Sequence, residues 1–385
     1  MRAHIFQIIG FYYPQCIDEI SGGYFHCFMD DGTVCDELNK PLVGTARFIY
    51  NFSVGVQLGG PPEWKKAAEH GLHFLNRYFR DREYGGYYAH LKGHLADNPS
   101  KFAYGHAFAL LAVSAAGQAG ISWAFPFIEE IYDILESRFW DSRYGLYIDK
   151  RSFDFREADP YRGQNANMHL CEAMIAAYEA TGNQRYLRRA LQLAHAVTVR
   201  LAGKTGGLIW EQYDKNWNPD WRYHKEYAGN EFRLYGYIPG HSIEWSKLLI
   251  KLSGYIPDQW ILQRAYFLYN RALRIATDFK YGGLFFSISP KGRLLNGNKY
   301  YWVMAEAIGA SAHFASLSSQ SFYLEAYESL FKYCWTFFID KKYGGWYQKL
   351  NRENQKLTAV KSPPPKTDYH PIANCLEAIR AFQIR

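Results

Sequence analysis

The sequence predicts an all-α fold, an (α/α)6 barrel of six helix-pair repeats with short β-hairpins at the N-terminal ends of the inner helices. Three observations predict it. A glycine-centred motif recurs six times along the 385 residues. Helical segments that are apolar all round alternate with segments that carry a charged stripe. Hydrophobic residues make up 48% of the chain and aromatic residues 18%, enough for a large core and too many for a disordered chain.

The motifs are Gly22-Gly23-Tyr24, Gly85-Gly86-Tyr87, Gly145-Leu146-Tyr147, Gly206-Gly207-Leu208, Gly282-Gly283-Leu284 and Gly344-Gly345-Trp346. Their first glycines lie 63, 60, 61, 76 and 62 residues apart. Self-similarity at a near-constant period marks repeat architecture. Tyr84, Tyr144, Tyr281 and Tyr343 each stand directly before their glycine. Each motif opens a short β-like stretch, where glycine supplies the positive φ of a turn and aromatics suit a hairpin.

Two helical segments follow each motif. The first is apolar almost all round: 42–58, 102–117, 164–181, 239–253, 301–317 and 369–383. A helix without a polar face is buried, so these six are inner. The second is amphipathic: 63–80, 124–140, 184–202, 258–278 and 321–339, with 3–16 as the sixth outer helix. Closing the ring makes every inner helix run the same way, so their first turns share one mouth. The whole chain, 1–385, then forms one barrel domain. The long fourth spacing places roughly fifteen extra residues within 213–238, including Trp217, Trp221, Arg222, His224 and Arg233. A loop of that length inside a compact domain reads as a lid.

Composition narrows the setting. No apolar run approaches the roughly 18 residues of a membrane helix, and Met1-Arg2-Ala3-His4-Ile5-Phe6 does not read as a signal peptide. Six scattered cysteines without a CxxC pair suggest reduced thiols and a cytoplasmic protein. A net charge of +7 is spread without a dense basic run, which suits a solvated surface and no nucleic-acid partner. The aromatic excess fits a carbohydrate pocket as well as a core.

Polar residues in apolar helices need a reason, and here they gather in the first turns. They are Arg47 in the first inner helix, Tyr104 and His106 in the second, and Asn165, Asn167 and His169 in the third. His241 and Glu244 open the fourth, Trp302 and Glu306 the fifth, and His370 the sixth. Asn165, His169 and Glu172 share a face at i, i+4, i+7. Position at a helix N-terminus disfavours the imidazolium, so His241 and His370 are expected to be neutral bases. His169-x-x-Glu172 and His241-x-x-Glu244 have the spacing of di-metal bundles, but the first turns offer few further carboxylates and no zinc motif, so no metal is expected. No GxxxxGK[ST] phosphate loop is present.

Four stretches carry a family resemblance: Tyr161 to His169 (YRGQNANMH), Pro239 to Trp245 (PGHSIEW), Trp302 to Ala307 (WVMAEA) and Asp368 to Pro371 (DYHP). Over nearly its whole length the chain resembles the N-acylglucosamine 2-epimerase superfamily, and within it the D-mannose and sulfoquinovose isomerase branch. The region 11–18 with Thr45-Ala46-Arg47-Phe48 looks most like the mannose isomerases. The resemblance implies an (α/α)6 barrel and aldose–ketose chemistry without metal or cofactor. Carried over by motif, His241 and His370 are the acid/base pair. Arg47, Asn165, His169, Glu244, Trp302 and Glu306 then line the sugar site, joined by Tyr104 and His106 from the second inner helix. The sulfoquinovose enzymes place basic character before Pro239, where Glu231 here suits a sulfonate poorly.

The chemistry expected is interconversion of D-mannose and D-fructose through a cis-enediol. One histidine, His370, moves the proton between C2 and C1, and His241, held by Glu244, opens the ring; the two roles are exchangeable. Alternatives are a sugar 2-epimerase, a glycoside hydrolase using Glu244 and Glu306, and a non-catalytic sugar-binding module. The expected partner is a monosaccharide, with no membrane contact, and the protein is a monomer or homodimer.

Overall fold

A computed structural model describes residues 1–225 and 235–383. Among them lie twelve α-helices. In chain order they are α1 (Arg2–Tyr12), α2 (Leu42–Gln57), α3 (Pro62–Phe74), α4 (Ala103–Gln118), α5 (Phe125–Ile134) and α6 (Gln164–Thr181). There follow α7 (Gln184–His195), α8 (Pro239–Tyr255), α9 (Gln259–Ala276), α10 (Tyr301–Leu317), α11 (Ser321–Phe337) and α12 (Tyr369–Gln383). The even-numbered helices form the inner layer. Each packs on the next, α2 on α4 and so on to α12, which returns onto α2 and closes an (α/α)6 barrel. The odd-numbered helices cover them, with α1 on α12.

Side-chain pattern explains the layering. α4 buries residues on every side, among them Ala107, Phe108, Leu110, Leu111 and Val113. α7 buries only Tyr186, Leu187, Ala190, Leu193 and Ala194, one stripe at i, i+1, i+4, i+7, i+8. α3, α5 and α7 each run on into a π-helical turn, at Leu75–Phe79, Leu135–Phe139 and Ala196–Leu201.

A latch repeats with the fold. Four residues before the first glycine of the motif stands an aspartate, in five units of six: Asp18, Asp81, Asp141, Asp278 and Asp340. Its carboxylate accepts N–H groups of the turn, as Asp81 does from Glu83 and Tyr84. In four units it also pairs with a fully buried lysine: Lys40–Asp18 at 2.7 Å, Lys101–Asp81 at 2.6 Å, Lys299–Asp278 at 2.9 Å and Lys361–Asp340 at 2.6 Å. Burial alone would raise the Asp81 carboxyl, but Lys101 and the two N–H groups outweigh it and hold it below its ordinary value. The fourth unit differs. Ala202 stands in the aspartate's place, and Tyr237, two residues before α8, donates instead to the Thr205 carbonyl at 2.6 Å.

The structure corrects two expectations. Cys27 and Cys35 are not free thiols but a disulfide. The strands Cys27–Met29 and Val34–Asp36 form an antiparallel hairpin that brings their Cα atoms to 5.2 Å, so the eight-residue spacing is that of two facing strands. Cys16, Cys171, Cys334 and Cys375 are free and buried. Polar residues of the inner helices also extend well beyond the first turns. Lys251 meets Glu377 at 2.9 Å, and Glu377 accepts from His313 at 2.8 Å, deep along the barrel axis. Among the described residues no helix is long and apolar enough to cross a membrane.

Candidate active site

The N-terminal ends of the inner helices surround a cavity of about 410 Å³. Arg47, Tyr104, Asn165, His169, His241, Glu244, Trp302 and His370 all line it, as the first-turn placement predicts. The local sequence explains how each arrives. Pro239, with its fixed φ, starts α8 and sets His241 two residues in. Gly240 leaves room for Trp302, whose ring lies 2.9 Å from where a Cβ would stand. Asp368, just before α12, accepts the Trp346 N–H at 3.1 Å and the Tyr12 hydroxyl at 3.1 Å, which fixes the turn that presents His370.

Two imidazole–carboxylate pairs face the cavity. His370 donates its Nδ1 proton to Glu306 Oε1 at 2.8 Å, and His241 donates its own to Glu211 Oε2 at 2.9 Å. In both, the second nitrogen is left with a lone pair, the tautomer a base requires. The indole of Trp302 lies between them, 4.8 Å from the His241 ring and 5.8 Å from that of His370. Burial pushes His370 down to about 4; Glu306 opposes this, and Arg47 and His169 reinforce it. Burial, not helix position, is thus the main reason this imidazole is neutral. His169 is lowered for the same reason, against the pull of Glu172, which accepts from its Nδ1 at 2.9 Å.

Glu244 behaves in the opposite way. Burial and the nearby Glu306 charge raise its carboxyl well above the ordinary value. Neither of its oxygens has a hydrogen-bond partner among the described residues. Burial thus favours its protonated form, which on the cavity wall can donate to an oxygen of a bound molecule. Arg47 donates to the Pro365 carbonyl at 2.9 Å and to the Tyr104 hydroxyl at 3.2 Å, with its guanidinium 4.5 Å from the Phe108 ring centroid.

Three assignments change. His241 is held by Glu211 rather than Glu244. Glu306 does not reach the cavity: it lies one helical turn below Trp302, behind His370, bonded to the Lys247 ammonium. The Glu244/Glu306 pair therefore does not flank a cleft as a glycosidase pair would. His106 is not on the wall either. It is two residues past Tyr104, on the opposite side of α4, where its Nε2 accepts the Tyr87 N–H at 3.1 Å and its Nδ1 donates to the Phe102 carbonyl at 2.8 Å. Gly86 makes that approach possible, since a Cβ there would lie 2.8 Å from the imidazole. In the third unit Asn167 does the same work, accepting the Tyr147 N–H at 2.8 Å. His106→Ala is expected to cost about 1–3 kcal/mol of stability with kcat unchanged. His106→Asn, the third unit's solution, is expected to recover most of it. Urea unfolding and kcat, measured together, check both.

Glu211, Lys247, Gln164 and Asn374 complete the site, and the sequence reading did not select them. Gln164 donates to Glu211 at 2.9 Å and accepts from the Trp245 indole at 2.8 Å. Asn374, one turn after His370, donates to Glu306 at 2.8 Å. A lysine within an apolar inner helix and an amide at i+4 from a histidine were the available signals. Two donor groups, His169/Glu172/Glu244 and Glu244/Glu306/His370, are close enough together to hold a cation. The Lys247 ammonium already supplies positive charge to Glu306 in this cluster. Of the 213–238 segment, Trp217 is buried and Trp221 lies 4.5 Å from Trp210 between ring centroids. Residues 226–234, with Glu231 and Arg233, lie outside the described residues, and so does the lid expectation.

Comparison with known proteins adds the relationship. Residues 23–374 match the family model for N-acylglucosamine 2-epimerase (GlcNAc 2-epimerase). A D-mannose isomerase of Marinomonas mediterranea is 39% identical over 385 residues, covering 100% of this chain and 97% of that one. A crystal structure of D-mannose isomerase superposes with a TM-score of 0.96 at 39% identity, covering 98% of this chain and 96% of that one. A cellobiose 2-epimerase from Spirochaeta thermophila shares the fold, with a TM-score of 0.88 at 23% identity over 100% of this chain and 96% of that one.

Proposed function

Because the chain belongs to the N-acylglucosamine 2-epimerase family, we propose that it is a sugar isomerase interconverting free D-mannose and D-fructose. The observation that carries the chemistry is the pair of buried imidazoles, each tied to a carboxylate, on either side of Trp302 in one cavity. The full-length similarity to a D-mannose isomerase supports the choice of sugar.

The reaction must first open the ring, by giving a proton to the ring oxygen and taking one from the anomeric hydroxyl. His241 Nε2 takes the anomeric proton and hands it to the ring oxygen as the C1–O bond of the ring breaks, and Glu211 meets the charge the imidazole carries in between. The open aldose carries a weakly acidic C2–H. His370 Nε2 removes that proton, and the electron pair moves onto the carbonyl oxygen O1 to form a cis-enediolate. Arg47 and Glu244, which burial favours in its protonated form, stabilise the developing oxyanion from the buried wall of the cavity. The O2–H proton passes to O1 between the two cis oxygens, and the same imidazole returns its proton to C1, which leaves the carbonyl at C2 and gives the ketose. Trp302 offers a face for the sugar's C–H groups.

A 2-epimerase would use both imidazoles, one on each face of C2, and the presence of two pairs favours this as the second reading. Incubating mannose and following products by NMR separates them. Fructose supports the isomerase; glucose without fructose overturns it in favour of the epimerase. A pH–rate profile tests the base. His370 is active only when unprotonated, so kcat/KM is expected to hold from neutrality down to about pH 6 and fall only as the pH nears the buried imidazole's value of about 4. Half-loss near the ordinary histidine value of about 6.5 would count against it.

A further inference from the structure

We propose that Lys247, which does not line the cavity, is a positioning residue that keeps Glu306 charged and thereby holds the His370 proton on Nδ1. The inference rests on His370 being the base of the reaction proposed above. Lys247 projects from α8 into the core between α10 and α12. Its ammonium bonds Glu306 Oε2 and donates to Asn374 Oδ1 at 3.0 Å. Asn374 turns its amide N–H to Glu306 Oε1 at 2.8 Å, the oxygen that also accepts from His370 Nδ1 at 2.8 Å. Lysine, amide, carboxylate and imidazole therefore form one closed network, with only the imidazole reaching the substrate.

The charges around this network are unbalanced without the lysine. Glu306 comes from α10, Glu172 and His169 from α6, Glu244 from α8 itself, His370 and Glu377 from α12, and the Arg47 guanidinium, which acts on Glu244 and His370, from α2. Lys251 lies one turn further along α8, next to Glu377 and Glu179. Burial would discharge Lys247, but the Glu306 and Glu172 carboxylates outweigh it and raise it above the ordinary lysine value. One ammonium thus serves the acids packed around it. It bonds Glu306, the one behind His370, while burial and the Glu306 charge favour the protonated form of Glu244 at the cavity wall.

The consequence of its removal follows from hydrogen bonding. A buried Glu306 without a cation takes up a proton. Its O–H then donates to His370 Nδ1, the imidazole proton moves to Nε2, and the lone pair that must take the C2 proton is gone. Raising the pH removes the proton from Glu306 and restores the base.

Lys247→Met is expected to lower kcat by about 10²-fold with KM nearly unchanged, and to move the acid limb of the kcat profile to higher pH. Lys247→Arg is expected to restore most of the rate. In a Glu306→Gln background, where no charge remains to be held, Lys247→Met is expected to cost little more. An unchanged pH profile, or an equal loss in both backgrounds, overturns the proposal. Should Lys247→Met fail to fold, Lys247→Gln, which keeps a donor without the charge, carries the same test. The ¹⁵N resonances of the His370 ring, assigned by comparison with His370→Asn, read the tautomer with no substrate present. Movement of the proton from Nδ1 to Nε2 in the lysine variant supports the proposal, and an unmoved proton overturns it. This readout does not depend on which sugar the enzyme turns over, so failure of the mannose assay and failure of this inference are separate results.

Discussion

Replacing His370 by alanine is expected to lower turnover by about 10²–10⁴-fold, the usual contribution of a positioned general base. The loss should fall on kcat rather than KM, because the walls that hold the sugar remain: Arg47, Tyr104, Asn165, His169 and Trp302 are untouched. The fold should survive, since Glu306 keeps its bonds to Lys247 and Asn374. Far-UV circular dichroism and single-turnover kinetics check the two halves of this statement. His241→Ala should be similarly slow on the cyclic sugar, whose ring must be opened. Near-normal turnover in both variants would remove the histidines from the mechanism.

The second large effect is on stability. Lys101→Met is expected to destabilise the protein by about 3–5 kcal/mol, the cost of leaving one member of a buried ion pair without its partner. Lys101 is fully buried and Asp81 nearly so, and their 2.6 Å contact ties the strand before α4 to the turn ahead of it. Two backbone N–H groups still reach Asp81, which places the loss toward the lower figure. A combined Asp81→Ala and Lys101→Tyr change copies the fourth unit and is expected to recover part of the loss. Urea midpoints at constant slope measure this. A single substitution that left the midpoint unmoved would show that the latch is ornamental.

The barrel was legible because its signal is spread over the chain. Six apolar helices and six striped ones leave little else for the segments to do, and α8 runs from Pro239 to Tyr255 where the periodicity places it at 239–253. First-turn position alone brought eight residues to the cavity wall. It failed at His106 and Glu306 for different reasons. His106 differs from Tyr104 by about half a turn of helix, and a list of first-turn residues carries no angle. Glu306 stands as deep in its helix as Arg47, His169 and Glu244 do in theirs, but the His370 ring it bonds takes its place on the cavity wall. Glu211 was illegible because it stands off any helix, just before the short strand Gln212–Tyr213, where no helical period relates it to His241. The disulfide was missed because CxxC was the pattern sought, while facing hairpin strands join cysteines at other spacings.

The unit that lost its latch also carries the extra length. Tyr213 is pinned to Arg162 of the preceding hairpin, and Tyr237 to Ile288 of the following one. Glu211, which orients His241, stands just outside that interval. The interval is therefore a cassette with both ends anchored. Grafting the corresponding stretch from a relative should leave the proton-transfer machinery, built entirely outside it, unchanged.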